Sequence, residues 1–361
     1  MNKELTKRQI IFRITLFLLI IGLVFVYLNM AFKYDNSDMN KKLFNTFYAQ
    51  EENTIDAVYV GTSATNRYFN DPLCYEESGA TVFNLATMGM PMFLYSNVIE
   101  EAEKYQNPQL YIIEMRWVLK SREQITDAHV RRVTDSMKFG SNRNDAISKS
   151  LEFTEGVEND MSENAIDYCF PILKYTGMLS DGELPADNIL LRNTQNPTMG
   201  YAMTPNTVVV KEQKEAVYSD GRADLTAEAE ETLVELLDYL DALDKDVLFV
   251  LSPYSVREGD KDKFNTAIDI AESRGYDVVD FNTPEMIRTL GIDWKKDFYN
   301  SKHVNYMGAE KYTRYLTAYI EDNYDLPDHR DDSRFGKWDE SYEAYLQFID
   351  NHELKYKQKK M

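Results

Sequence analysis

Five short runs in this chain are apolar nearly throughout, and they constrain its fold more than any other feature. They are Thr54–Val60, Thr81–Leu85, Gln109–Met115 (QLYIIEM), Asp246–Leu251 (DVLFVL) and Asp277–Phe281 (DVVDF). Each has strand length and lacks the regular polar alternation of a strand with one wet face. Such strands must be covered on both sides, which a mostly parallel sheet between two layers of helices provides. The intervening segments supply helical spacing. Leu94, Val98 and Ala102 recur within Phe93–Tyr105. Thr226–Leu243 carries Leu233, Leu236, Leu237 and Leu240 behind Thr226 as N-cap. Lys261–Arg274 stops at Gly275, and Gly308–Tyr319 forms a last helix. The expectation is a three-layer α/β domain. In such sheets ligands sit beyond the carboxyl ends of the strands. Gly61-Thr62-Ser63, Arg116 and Ser252 each follow a strand end, so they should converge on one rim.

A second feature is uncharged: Ile14–Met30, ITLFLLIIGLVFVYLNM. With its flanks Ile10–Phe12 and Ala31–Phe32 it is long enough for a membrane-spanning helix. Lys3, Lys7, Arg8 and Arg13 precede it against Glu4 alone. The positive-inside rule then leaves the N-terminus in the cytoplasm and the rest, from about residue 33, outside. The competing reading, a cleaved signal peptide, needs a small-x-small site, and Tyr27–Phe32 offers a poor one. The expected location is the cell membrane, single-pass, with the folded body extracytoplasmic.

The resulting organisation is an anchor with its cytoplasmic tip over 1–33, a stalk or first surface helix over 34–53, an α/β domain over 54–321 and a charged, aromatic extension over 322–361. Residues 120–225 break the strand–helix alternation and read as an insertion or lid within the domain. Trp338, Tyr342, Tyr345 and Phe348 are spaced to pack one face of a C-terminal helix on the core, and Lys355–Lys360 reads as a solvated basic end. The net charge of −20 argues against nucleic acid, whose phosphates need cationic stripes. Cys74 and Cys169 are the only cysteines, and spacing does not say whether they pair. No zinc-type, EF-hand, Walker or dinucleotide motif occurs, so neither metal nor cofactor is expected.

Two segments can carry chemistry together. Ser63 lies at the tip of the first strand, where Gly61 permits a tight bend and a following helix would aim its N–H groups near the hydroxyl. His303 lies in a late loop between Asp297 and Gly308. A serine hydroxyl barely ionises at neutral pH, so it needs an imidazole to take its proton. His129, His329 and His352 are the other histidines, and His329 in LPDHRDD reads as structural. Tyr254 is a candidate to line the groove. Asn66 and Arg67 would open the helix after the serine.

At these positions the chain resembles the SGNH/GDSL hydrolase superfamily. Its first block, Gly-x-Ser, is matched by Gly61-Thr62-Ser63. Its second, Asn-x-Gly-x-x-Gly, is similar to Asn84-Leu85-Ala86-Thr87-Met88-Gly89. Its last, Asp-x-x-His before a glycine that opens a helix, looks like Asn300-Ser301-Lys302-His303 with Gly308. The resemblance covers about Thr54–Leu119 and Asp246–Tyr319. It implies a flavodoxin-like three-layer fold, Ser63 as nucleophile, His303 as base, and the Ser63 and Gly89 amides as oxyanion donors. Asn84, Arg116 and Ser252 would complete the oxyanion and substrate side.

Two departures stand out. The acid three residues before the histidine is Asn300, which orients an imidazole without stabilising its cation. Asp297 is the expected substitute, if the loop folds it back; otherwise the site is a Ser–His dyad. The third-block oxyanion Asn is missing, because the strand ends in Glu114-Met115-Arg116-Trp117. Arg116 either supplies charge to an oxyanion or anionic substrate group, or pairs with a carboxylate such as Glu114. The anchor and the DFYNSKHVNYMGAEKYTRYL segment look most like the membrane-anchored branch that includes the D-alanine transfer proteins and the partners of membrane-bound O-acyltransferases. That resemblance implies acetyl or D-alanyl transfer to, or ester cleavage on, a cell-surface glycopolymer such as teichoic acid, capsule or exopolysaccharide. The alternative is an accessory protein that has lost catalysis and binds glycan or a membrane-bound O-acyltransferase.

Overall fold

A computed structural model describes residues 6–32, 38–214 and 217–360, apart from the side chains of 179 and 354–360. Lys3, Glu4, residues 34–37 of the expected stalk and the side chains of Lys355–Lys360 lie outside that description. The five apolar runs form strands β1 (Ala57–Gly61), β2 (Val82–Ala86), β3 (Leu110–Glu114), β4 (Asp246–Leu251) and β5 (Asp277–Asp280). All pair in parallel, in the order β2-β1-β3-β4-β5. The antiparallel pair β6 (Phe298–Asn300) and β7 (His303–Val304) stands apart from that sheet.

Helices α1 (Lys7–Ala31) and α2 (Met39–Tyr48) precede the sheet. Helices α3 (Ser63–Asn66), α4 (Asp71–Ser78) and α5 (Tyr95–Tyr105) connect its first three strands. The insertion contributes α6 (Asp127–Thr134), α7 (Ser141–Phe153), α8 (Ala165–Cys169), α9 (Pro171–Tyr175), α10 (Gly177–Ser180) and α11 (Ala186–Ile189). Then come α12 (Ala227–Asp241), α13 (Asp260–Ser273), α14 (Pro284–Thr289), α15 (Tyr306–Asn323) and α16 (Gly336–Lys360).

Successive strand residues point to opposite faces, and each face has its own core. Val58, Val60, Tyr111, Ile113 and Phe249 meet Val98 of α5, Leu233 and Leu237 of α12 and Phe264 of α13. On the other face Tyr59, Ile112, Leu248 and Val250 meet Tyr312, Leu316 and Ile320 of α15. Trp338 and Tyr345 of α16 are buried and Phe348 is exposed, so the aromatic stripe is covered over its first turns. Cys74 and Cys169 are not bonded to each other.

Helix α1 is apolar and long enough to cross a membrane, and its central side chains contact solvent-facing space rather than the domain. Helix α2 differs from a stalk. Leu43, Phe44 and Phe47 are fully buried, and the Phe47 ring meets Phe83 of β2 and Tyr105 of α5 edge-on at 5.7 and 6.4 Å. The polar residues of α2 face inward as well: Lys41 Nζ donates to the Asp135 carbonyl at 3.1 Å, and Asn40 Oδ1 accepts from Met88 N–H at 2.7 Å. The segment is therefore part of the core that covers β2. Deleting a buried phenyl ring costs about 3–5 kcal/mol. Phe47→Ala is accordingly expected to lower domain stability by that amount in chemical denaturation, whereas a tether outside the fold would leave the midpoint unchanged.

Candidate active site

Strand β1 ends close against the end of β3. A Cβ on Gly61 would lie 2.2 Å from Thr65 Oγ1 and 2.6 Å from Glu114 Cβ, so only glycine fits. Thr62 caps the next turn by accepting from Ala64 N–H at 3.2 Å, which lifts Ser63 onto the rim as the first residue of α3. That helix is a single turn, so it brings little of the dipole expected of a longer helix.

The histidine reaches this rim from the β6–β7 hairpin. Ser63 Oγ and His303 Nε2 are 2.8 Å apart, although 240 residues separate them. On the other side of the ring, Nδ1 lies 3.1 Å from Asn300 Oδ1. The identity of that Asn300 atom is fixed by a second bond, because the Lys302 N–H donates to it at 2.8 Å and only an oxygen accepts. Nδ1 must then carry the ring proton. Nε2 is left with its lone pair towards the serine hydroxyl, as a base needs.

Asp297 does not approach His303. Its carboxylate accepts from Lys311 Nζ at 2.6 Å and from Asp293 N–H at 2.6 Å, and its carbonyl accepts from Asn305 N–H at 2.9 Å. A Cβ on Gly308 would lie 2.5 Å from that carbonyl, which explains the glycine at the start of α15. Asp297 therefore ties the hairpin to α15, and Asn300 occupies the position beside the imidazole.

Arg116 also differs from a simple partner of Glu114. Its guanidinium donates to Ser252 Oγ at 3.3 Å and to the Lys302 carbonyl at 2.7 Å, and lies 3.9 Å from the centre of the Tyr254 ring. Tyr68 Oη donates to the same carbonyl at 2.9 Å. Arg116 and Tyr68 thus hold the peptide next to His303 in place, and Ser252 buttresses Arg116. Neither Lys302 nor Tyr68 stood out in the sequence; a lone lysine and one tyrosine of 25 carry no spacing signal.

Glu114 lies fully buried beneath Arg116. Its carboxyl accepts from Arg116 N–H at 3.2 Å, Ser252 N–H at 3.3 Å and Tyr59 Oη at 3.2 Å, and Tyr59 Oη lies 2.7 Å from Tyr312 Oη. Burial pushes the carboxyl up to about 7, against a smaller pull from Arg116.

Asn84 is not at the rim. It sits inside β2 opposite Tyr59, and its amide donates to the Phe69 carbonyl at 2.6 Å. The strand runs two residues further than the motif suggests, and this keeps Asn84 in the sheet. Gly89 lies beyond that strand end in a left-handed turn (φ 74°), where a Cβ would lie 2.5 Å from the His129 ring and 2.9 Å from Trp117. Asn66 is buried with its carboxamide unpartnered, and Arg67 lies over the Tyr299 ring at 5.3 Å. His329 bonds Asp56 at 3.0 Å and stacks on Phe335, a structural position.

His303 is half-buried, and burial is the main reason its pKa falls to about 2, followed by the charges of Arg116, Arg67 and Lys302. The imidazole is thus held neutral. Among the described residues no group of three or more His, Cys, Asp or Glu is arranged to hold a metal ion. The chain matches no family model and no curated protein.

Glu114 also gives a stability signature. Its folded pKa lies above the ordinary carboxylate value, so the native state binds more protons between about pH 4.5 and 7. The stabilisation is full below that window and lost as pH rises through it. At 1.36 kcal/mol per unit, wild type should lose about 3 kcal/mol relative to Glu114→Gln between pH 4.5 and 8. Urea midpoints of both proteins across that range measure the difference.

Proposed function

We propose that this chain is a membrane-anchored acyl-ester enzyme with Ser63 as nucleophile and His303 as base. The observation that carries the reading is the 2.8 Å contact between Ser63 Oγ and a His303 Nε2 whose proton lies on the opposite nitrogen. The five-strand parallel order β2-β1-β3-β4-β5 supports it, since that order has its ligand crevice where the connection reverses, between β1 and β3. Ser63 follows β1 and Arg116 follows β3. It is also the order expected of a flavodoxin-like SGNH fold.

In the reaction, His303 Nε2 takes the Ser63 proton while Oγ bonds to the acyl carbonyl carbon. The tetrahedral species collapses, the bond to the leaving oxygen breaks, and that oxygen takes the proton from His303. A second hydroxyl then gives its proton to His303 as its oxygen bonds to the acyl carbon; the bond from that carbon to Oγ breaks, and Oγ takes the proton back from His303. An acceptor sugar or polyol gives transfer, and water gives hydrolysis. The substrate class is an O-acylated cell-surface glycopolymer or its acyl donor, with acetyl or D-alanyl as the group. Anchoring by α1, with the domain outside the cytoplasm, would concentrate the site at the membrane where a membrane-bound O-acyltransferase delivers a donor.

Burial, and after it the cations around His303, weaken it as a base, because both disfavour imidazolium and Asn300 supplies no compensating charge. An anion settling beside Arg116 and Lys302 would offset the cations. That weakness is also the observation in favour of the second reading, an accessory protein without turnover that binds glycan or an acyltransferase.

A fluorophosphonate probe separates the two. Catalysis predicts labelling that disappears in Ser63→Ala and falls at least 100-fold in rate in His303→Ala, the usual scale for a lost general base. A folded wild-type protein that stays unlabelled favours the accessory role. The pH profile adds a second measurement. Because the His303 pKa is depressed, kcat/KM on a chromogenic ester should stay flat from pH 8 down to pH 5, where an ordinary histidine would already have lost most of its neutral form. Asn300→Asp places a carboxylate at Nδ1, stabilises the imidazolium, and should move the acid limb up towards 6.5 with a rise in rate. An unchanged limb would remove Asn300 from the orienting role.

A further inference from the structure

The insertion meets the N-terminal helix at a defined height. The Phe25 and Phe170 rings pack with centroids 5.6 Å apart, Tyr27 Oη donates to the Ile189 carbonyl, and Asn29 Oδ1 accepts from Ile172 N–H at 3.2 Å. Phe25 and Tyr27 belong to the apolar run of α1. At about 1.5 Å per residue, Phe25 lies roughly 8 Å inside the end of that run at Met30. Whatever packs against Phe25 is at the same depth.

The side chains there are apolar and exposed. Ile166 lies in α8, Phe170 at the junction and Leu173 in α9, while Ile189 and Leu190 lie at the end of α11; all five are 38–58% exposed. The opposite side of the same pair is tied to the domain. Tyr168 is buried under Arg131 at 4.3 Å, Tyr175 Oη bonds Asp135 at 3.3 Å, and Lys174 turns back to Asp127 at 3.1 Å. The exposed acids Asp181 and Glu183 sit in the turn between α10 and α11. The segment is therefore divided into a side facing the protein and an apolar side continuous with α1.

We propose that α8, α9 and the end of α11 form a membrane-interfacial patch, inserted into the edge of the same bilayer that α1 crosses. The patch rests on the reading of α1 as a membrane span. Lipid is its occupant because Phe170 packs on Phe25, and the Ile189 carbonyl meets Tyr27, on the helix whose own apolar surface needs lipid. With α1 it gives the domain a second attachment, and two points fix the tilt of the Ser63 rim relative to the membrane where one helix would leave it to rotate.

The test uses the full chain in phosphatidylcholine/phosphatidylglycerol nanodiscs, with a nitroxide at Leu173→Cys or Leu190→Cys in a Cys169→Ser background; Cys74 is buried and does not label. Leu19→Cys in α1 and Glu230→Cys at an exposed position of α12 serve as references. Collision with oxygen exceeding collision with a water-soluble nickel chelate several-fold at 173 and 190 is the expected result. Nickel-dominated values like those at 230, with 19 still oxygen-dominated, overturn the patch and leave the span intact. Protection from both reagents at 173 and 190 overturns it in favour of a protein contact such as a second copy. Nickel access at 19 overturns the span, and the patch with it.

Discussion

The register of β1 between β2 and β3 decides where every other part of this protein falls. Gly61 pairs with Ala86, and Val60 with Ile113, so three strands end at nearly one level. The next residue of β3 is Glu114, whose Cβ closes on the glycine. Any side chain at 61 would push the strands apart at the point where Ser63 leaves the sheet. The same level sets the heights of Arg116 and Ser252, because β4 is in register with β3 from Leu110↔Asp246 to Glu114↔Val250. One set of backbone hydrogen bonds therefore aligns four loops.

Above that level the site is held by hydrogen bonds to a carbonyl more than by ion pairs. Arg116 and Tyr68 converge on the Lys302 carbonyl, and the Lys302 N–H converges on Asn300. One residue thus receives restraints from the loop after β3, from α3's neighbour and from the hairpin itself. An irregular segment of the insertion adds another. Ala202 N–H donates to the Asn66 carbonyl at 2.6 Å, and Thr204 Oγ1 donates to the Val304 carbonyl at 2.9 Å. That segment links the serine side of the rim to the histidine side, so the insertion is part of what keeps the two together.

The sheet was legible because its strands are buried on both faces, which leaves a near-continuous apolar signature; each run matches its strand to within about three residues at either end. Thr226 as N-cap and Gly275 as stop were legible because caps are local chemistry. The burial of α2 was not legible. Its sequence MNKKLFNTFY is half polar, and its Lys41 and Asn40 are satisfied by partners far along the chain. The insertion hides its core in the same way. Nothing in the sequence marks Arg131, Arg143 and Asp135 as buried, yet they are buried together, with Arg143 3.2 Å from Asp135. Such pairs stabilise only when both partners are present and hydrogen-bonded, a condition no local pattern reports.

The hairpin marks the limit most clearly. Chemistry favours a carboxylate beside an imidazole, and Asp297 is the nearest one in sequence. Backbone geometry decides otherwise. The antiparallel pair Asn300↔His303 puts those two residues on adjacent positions of a tight turn, so the side chain at 300 meets the ring whatever it is. Asp297 lies at the start of β6, where α15 passes and Lys311 can reach it. The exchange leaves the imidazole oriented but without a counter-ion, and the surrounding cations then act on it unopposed. Position in the hairpin decides which side chain orients the imidazole, and the choice of asparagine there withholds the charge that would strengthen it as a base.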